Sequence, residues 1–202
     1  MTIRAIFWDV GGVLLSNAWD HTERAAAFEH FRLDEKEFQS RHEALVSSFE
    51  RGLVSLDEYL QGTVFYRSRS FTLEEFKEFM LSLSQPRPDV LAFARHLAGC
   101  RKYLMGTINN ESRDLNLFRI EKFGLREIFQ VFVSSCFVGL RKPESAIYRL
   151  AVEVTQMDPE GCCFIDDRAP NLECPAAMGM KTIQMQTLNQ LQSELEKIGV
   201  KV

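Results

Sequence analysis

Four polar clusters, each ending an apolar run, hold the chemistry this sequence offers. Asp9 leaves the run Ala5-Ile6-Phe7-Trp8 and is followed by Gly11 and Gly12. Thr107 follows Tyr103-Leu104-Met105-Gly106, Lys142 follows Val138-Gly139-Leu140-Arg141, and Asp166-Asp167 follows Cys163-Phe164-Ile165. An acid, a hydroxyl, a lysine and an acid pair gathered around one point suit a phosphoryl group. A carboxylate can attack phosphorus to give an acyl phosphate once the repulsion between two anions is removed. A lysine and a divalent metal remove it, and a hydroxyl with turn N–H groups holds the equatorial oxygens. Hard oxygen donors favour Mg²⁺. Each residue alone has a plainer reading: Lys142 as a solvated lysine, Thr107 as a strand-end hydroxyl bonded to nearby backbone, and Asp166, Asp167 and Asn171 as helix-capping residues. The joint order, each cluster after an apolar run, carries the inference.

These clusters meet only if the runs are parallel strands whose carboxyl ends face one way. Ile6-Phe7-Trp8 reads as a central strand buried on both faces. From residue 88, helices near 88–99, 111–123, 143–156 and 169–178 alternate with strands at 103–107, near 130–134, 162–166 and 181–184. That alternation predicts parallel crossover units. Between the first strand and this series, helices are expected near 20–31, 35–51, 56–66 and 72–83. Ser55-Leu56-Asp57-Glu58 and Thr72-Leu73-Glu74-Glu75 are capped helix starts. Phe65, Phe71, Phe76 and Phe79 read as the core of a helical bundle. The Gln85-Pro86-Arg87-Pro88 stretch punctuates the chain. The expected architecture is an α/β, Rossmann-like parallel sheet core of residues 1–16 and 86–202, with an inserted α-helical bundle cap domain of residues 17–85. Pro175 falls inside the final crossover helix and should kink or shorten it.

Composition narrows the partners. With 202 residues, 46% hydrophobic and 26% charged, the chain is an ordinary globular protein able to bury a core. A net charge of −4 without a basic cluster argues against nucleic acid. No apolar stretch reaches the ~18 residues of a membrane span, and no leader is evident. The five cysteines, Cys100, Cys136, Cys162, Cys163 and Cys174, are odd in number and read as reduced thiols of a cytoplasmic protein. His21, His30, His42 and His96 lack zinc-ligand spacing. A bundle of this size covers the site without requiring a second copy of the chain.

At this point the chain resembles the haloacid dehalogenase-like hydrolase superfamily, in its branch with a helical cap inserted after the first motif. Phe7-Trp8-Asp9-Val10-Gly11-Gly12-Val13 looks like the first motif and Thr107 like the second. Lys142 in Gly139-Leu140-Arg141-Lys142-Pro143 looks like the third, and Phe164-Ile165-Asp166-Asp167-Arg168 with Asn171 like the fourth. The resemblance implies Asp9 as nucleophile and metal ligand and the Gly11 carbonyl as a second ligand. It makes Asp167 the first choice for the direct carboxylate ligand of Mg²⁺, with Asp166 close by, directly or through water. Thr107 would bind phosphoryl oxygens and Lys142 would offset charge. Gly11 and Gly12 offer turn amides to the anion. Asn109 and Asn110 either line the same mouth or simply form the turn.

One departure stands out. Phosphatases of this superfamily usually have a second aspartate two residues after the nucleophile as general acid and base, and here that position is Gly11. The substrate then has a good leaving group, as an anomeric sugar phosphate does, or another acid such as Glu50, Asp57 or Glu111 serves. The leading expectation is a Mg²⁺-dependent phosphomonoesterase acting on a small phosphorylated metabolite through an aspartyl-phosphate. A 2-haloacid dehalogenase and a non-catalytic phospholigand-binding module are the alternatives.

Overall fold

The structure, a computed structural model, describes residues 2–201. Its centre is β1 (Ala5–Trp8), every residue of which is buried. It pairs in parallel with β2 (Leu104–Asn109) on one side and β4 (Cys162–Asp166) on the other. Outside these lie β3 (Val131–Ser134) and β5 (Lys181–Gln184), giving the order β3-β2-β1-β4-β5 with every pairing parallel. Helices α5 (Pro88–Gly99), α6 (Arg113–Lys122), α7 (Ser135–Val138), α8 (Ser145–Thr155), α9 (Pro170–Ala177) and α10 (Leu188–Lys197) belong to this sheet, numbered after four that precede them.

Successive residues of β1 serve opposite faces, as the period of two requires. Ile6 and Trp8 pack with Val90, Ala94 and Leu97 of α5, whereas Ala5 and Phe7 pack with Ile147, Tyr148 and Ala151 of α8. Gly106 on β2 makes room for Phe7, since a Cβ there would stand 2.9 Å from the Phe7 ring. In α9, Pro175 has no N–H for the Asn171 carbonyl, and the Tyr148 hydroxyl donates to that oxygen at 2.8 Å. The helix ends two residues later, the shortening expected of the proline.

Helices α1 (His21–Phe31), α2 (Glu35–Glu50), α3 (Leu56–Thr63) and α4 (Leu73–Ser82) form a block with its own core, in which Phe38, Phe49, Tyr59 and Phe76 are buried. The starts of α3 and α4 are capping boxes built by Ser55 with Glu58 and Thr72 with Glu75. The chain reaches and leaves this block along two adjacent segments. Ser16 N–H donates to the Gln85 carbonyl at 2.8 Å, Arg87 N–H to the Leu14 carbonyl at 2.9 Å, and the Arg87 guanidinium to the Gly12 carbonyl at 2.8 Å.

Strand β2 corrects one expectation. Thr107 does not end it, because Ile108 and Asn109 continue the pairing opposite Val133 and Ser134. The helix near 111–123 starts at Arg113, and α10 has no counterpart in the sequence reading.

Candidate active site

The carboxyl ends of β1 and β4 place two carboxylates on one lysine. Asp9 follows β1 directly, its N–H tied to the Ile165 carbonyl at 2.8 Å. Its Oδ1 accepts the Val10 N–H at 2.8 Å and stands 2.9 Å from Lys142 Nζ. The same Nζ donates to Asp166 Oδ2 at 2.6 Å. All three residues are buried. Asn110 fixes Lys142 by its backbone, accepting from the Lys142 N–H at 2.8 Å and donating to the Lys142 carbonyl at 3.0 Å.

Asp166 and Asp167 are neighbours with different commitments. Asp166 accepts from Lys142, from the Arg168 N–H at 2.8 Å and from the Asn171 amide at 3.0 Å on both oxygens. Asp167 Oδ1 is buried and has no hydrogen-bond partner among the described residues. A carboxylate oxygen left this way is costly unless a cation meets it. Carboxylate oxygens of Asp9, Asp166 and Asp167 lie within 4.8 Å of one another. The Gly11 carbonyl, which accepts no hydrogen bond among the described residues, adds a further hard oxygen. This donor set fits Mg²⁺ through Asp9, Asp167 and the Gly11 carbonyl. Asp166, the other carboxylate expected at the metal, already has its lone pairs engaged by Lys142, Arg168 and Asn171.

Burial disfavours charge throughout the cluster. It raises the Asp9 carboxyl, an effect that Lys142 opposes and that the Asp166 and Asp167 carboxylates reinforce. For Lys142, burial alone would lower the pKa, but Asp9 and Asp166 outweigh it and hold the ammonium above its usual range. Lys142 is therefore charged at neutral pH, and the ionised form of Asp9 depends on it. Asp167 is raised by burial and by the Asp166 carboxylate.

Three expected site residues take other positions. Thr107 is paired with Trp8, fully buried, and its hydroxyl has no partner among the described residues; it is not part of the cavity wall. Asn109 is buried and spent on structure, donating to Asn116 Oδ1 at 3.0 Å and accepting from the Ser134 hydroxyl at 2.8 Å. Gly12 gives its N–H to the Leu15 carbonyl and so offers none to an anion. Its φ of +73° and the Asp167 carboxylate, into which any Cβ would run, explain the glycine instead.

Above Asp9 a cavity of about 650 Å³ opens between the sheet and the helical block, lined by Gly11, Asn17, Trp19, Arg24, His42 and Glu50 among others. Of the three acids suggested to replace the missing aspartate, Asp57 is not in the wall and pairs with Lys77. Glu111 is held by Arg119 at 2.8 Å, with burial pushing its carboxyl up to about 7. Glu50, at the end of α2, stands 2.8 Å from Arg141 in an ion pair whose alignment makes no hydrogen bond, and burial raises its pKa. Its carbonyl accepts from the Ser135 hydroxyl at 2.6 Å, and Arg51 beside it donates to the Gly139 carbonyl at 2.6 Å. Sequence reasoning missed Arg24 and His42. Both lie in helices with no local motif, and only the packing of those helices turns them to the cavity.

The family model of the haloacid dehalogenase-like hydrolases matches residues 3–179. Flavin mononucleotide hydrolase 1, a chloroplast protein of Arabidopsis thaliana, is 27% identical over 164 residues, covering 81% of this chain and 66% of the relative. Bifunctional epoxide hydrolase 2 of Sus scrofa is 34% identical over 74 residues, only 37% of this chain and 13% of the relative. Among solved structures, the HAD family enzyme bt-2542 of Bacteroides thetaiotaomicron in complex with magnesium and inorganic phosphate superposes with a TM-score of 0.79. It shares 21% identity over 94% of this chain and 98% of that one. An L-2-haloacid dehalogenase superposes with a TM-score of 0.64 at 19% identity, over 89% of this chain and 82% of that one, so the fold is shared with that enzyme as well. With a match across most of its length and a parallel sheet of the same fold, the chain belongs to the haloacid dehalogenase-like hydrolase family.

Proposed function

We propose that this protein is a Mg²⁺-dependent phosphomonoesterase acting on a small phosphorylated metabolite through a phosphoryl group transferred to Asp9. The observation that carries this reading is the unpartnered Asp167 Oδ1 beside an Asp9–Lys142–Asp166 cluster. A halide displaced from carbon needs no such cation, whereas a phosphate dianion approaching Asp9 does. Bound Mg²⁺ supplies positive charge to the phosphoryl oxygens. Asp9 attacks phosphorus, and the bond to the leaving oxygen breaks as the new P–O bond forms. Lys142 favours the ionised form of Asp9 and faces the developing charge, and Asn110 and Asp166 hold the lysine in position.

Glu50 is our choice for the proton on the leaving oxygen, since it lines the cavity and burial raises its carboxyl against the opposing Arg141 charge. Water then hydrolyses the acyl phosphate and releases inorganic phosphate. The similarity to a flavin mononucleotide hydrolase supports a phosphomonoester substrate. The helical block of residues 17–85 is read as a cap over the site. All five cysteines are unpaired and, among the described residues, no helix is long and apolar enough to cross a membrane, which favours a cytoplasmic setting.

The test is hydrolysis of p-nitrophenyl phosphate and a panel of sugar phosphates with Mg²⁺ and after chelation. Activity that survives complete chelation removes the metal from the mechanism. Halide release from 2-haloacids without hydrolysis of any phosphate transfers the assignment to the dehalogenase reading.

A further inference from the structure

Each cation of the cavity wall but one stands beside a carboxylate. Asp20 pairs with Arg168, Glu50 with Arg141, Glu111 with Arg119, and Asp9 and Asp166 share Lys142. Arg24, on α1, also lines the cavity and has no carboxylate partner among the described residues. It is only 9% exposed, so bulk water does little to relax its charge. A guanidinium buried in this way is stabilised by an anion brought against it.

The guanidinium is also anchored in a way that leaves one edge free. Nη1 donates to the Trp19 carbonyl at 2.8 Å. Nε is buried without a partner, and Nη2 makes no hydrogen bond among the described residues. These two N–H groups lie on the same edge of the planar group, and Nη2 is the one that an oxygen of a carboxylate or phosphate can reach, Nε being enclosed.

His42 extends this donor surface. Tyr59 Oη accepts from Trp19 Nε1 at 3.0 Å and lies 2.7 Å from His42 Nδ1. Giving each proton in this relay an acceptor makes Tyr59 the donor to Nδ1 and leaves the imidazole proton on Nε2. That nitrogen has no hydrogen-bond partner among the described residues, and His42 also lines the cavity. A neutral imidazole is expected here, because burial and the Arg24 charge push its pKa down to about 4.

We propose that Arg24, with His42, forms a second oxyanion site in the helical wall, so the preferred substrate is a phosphomonoester whose leaving part bears another anionic group, a carboxylate or a second phosphate. This rests on Asp9 being the phosphoryl-accepting end of the same cavity. A space of about 650 Å³, lined by both Asp9 and Arg24, has the volume for such a molecule. A neutral leaving part would fill the space and leave Arg24 unpaired.

The test compares matched pairs: 3-phosphoglycerate against glycerol 3-phosphate for a carboxylate, and glucose 1,6-bisphosphate against glucose 1-phosphate for a second phosphate. In at least one pair the anionic member is expected to have a kcat/KM about 30-fold higher, mostly through KM, as charge-assisted hydrogen bonds predict. Arg24→Met collapses that ratio toward unity, and Arg24→Lys retains part of it, with circular dichroism reporting the fold of each. Equal kcat/KM within both pairs for the native protein overturns the proposal, as does a ratio that persists in Arg24→Met. If no ester is hydrolysed, the phosphatase reading fails separately. Calorimetry with the same four esters then decides the subsite, and binding of the anionic members no tighter than the neutral ones overturns it.

Discussion

Gly11→Asp, combined with Glu50→Gln, isolates the proton that the leaving group needs. The Gly11 backbone is outside the left-handed region, and a Cβ there meets Asn17 Oδ1 at 3.5 Å and Asn17 Cα at 3.6 Å, ordinary contact distances. The loop therefore admits an aspartate. Loss of glycine's freedom in the unfolded chain favours folding by about 0.4–1 kcal/mol. A new charge near Asp9 and Asp167 opposes it by on the order of 2 kcal/mol at an effective dielectric of ~20. A small fall in Tm is expected, with the fold retained.

General acid assistance contributes roughly 10²–10⁴-fold, about 3–5 kcal/mol of barrier. Glu50→Gln should lose that much in kcat on glycerol 3-phosphate, whose alkoxide must be protonated. On p-nitrophenyl phosphate, whose phenolate leaves unaided, the loss should be within about tenfold. Adding Gly11→Asp to Glu50→Gln should recover most of the loss on the alkyl ester, while Gly11→Asp alone adds little. Steady-state kinetics on the four proteins of this cycle measure the coupling. Equal slowing of both esters by Glu50→Gln would refute the reasoning, as would a double variant no faster on glycerol 3-phosphate than Glu50→Gln.

The remaining predictions concern single elements of the site. Asp9→Asn should abolish turnover with the fold intact, since an amide oxygen still accepts the Val10 N–H; measurable multiple turnover would exclude covalent catalysis. Asp166→Ala leaves the Asn171 amide and the Arg168 N–H without their acceptor and Lys142 with Asp9 alone, and should cost on the order of 1–3 kcal/mol in urea unfolding. Gly12→Ala should weaken Mg²⁺ binding by displacing Asp167 and lower stability by roughly 1–2 kcal/mol of left-handed strain, read by metal titration and thermal melting. His42 titrates near ~6.5 when unfolded and near about 4 in the fold, so the unfolded chain binds more protons between these values. Its contribution to stability is present above pH ~6.5 and falls as pH drops toward about 4. The loss at pH 5 is on the order of 1 kcal/mol after screening through the open cavity, and His42→Gln should flatten it.

What the sequence revealed followed from period and punctuation. β1 was legible because a continuous apolar run can only be buried on both faces, and the starts of α3 and α4 because capping boxes are local. Asp9 and the Asp166-Asp167 pair were legible because each stands where an apolar strand stops, whereas Lys142, expected at a strand end too, lies in the loop that follows α7, with β3 already ended at Ser134. Thr107 was misplaced for the same reason in reverse. Ile108 and Asn109 continue β2 through pairing with β3, and a partner strand leaves no mark in the residues it extends. The separate uses of Asp166 and Asp167 depend on Asn171 and on the Gly12 turn, both of which act through space. Arg24 and His42 were illegible because a cavity wall is made by helices from different parts of the chain, and neither helix marks which of its polar residues will lose water.

The paired segments at Leu14–Ser16 and Gln85–Arg87 have a consequence for how this fold can vary. Because the chain departs and comes back at neighbouring points, the sheet experiences the whole helical block as one short loop. Helices α1, α3 and α4 could be lengthened or exchanged there without changing any strand register, whereas the end of α2 braces the segment that carries Lys142 through Ser135, Gly139 and Arg141. The choice of molecule can thus change apart from Asp9, Lys142 and the Asp166-Asp167 pair, while Glu50 ties the proton donor to the same block that selects the substrate.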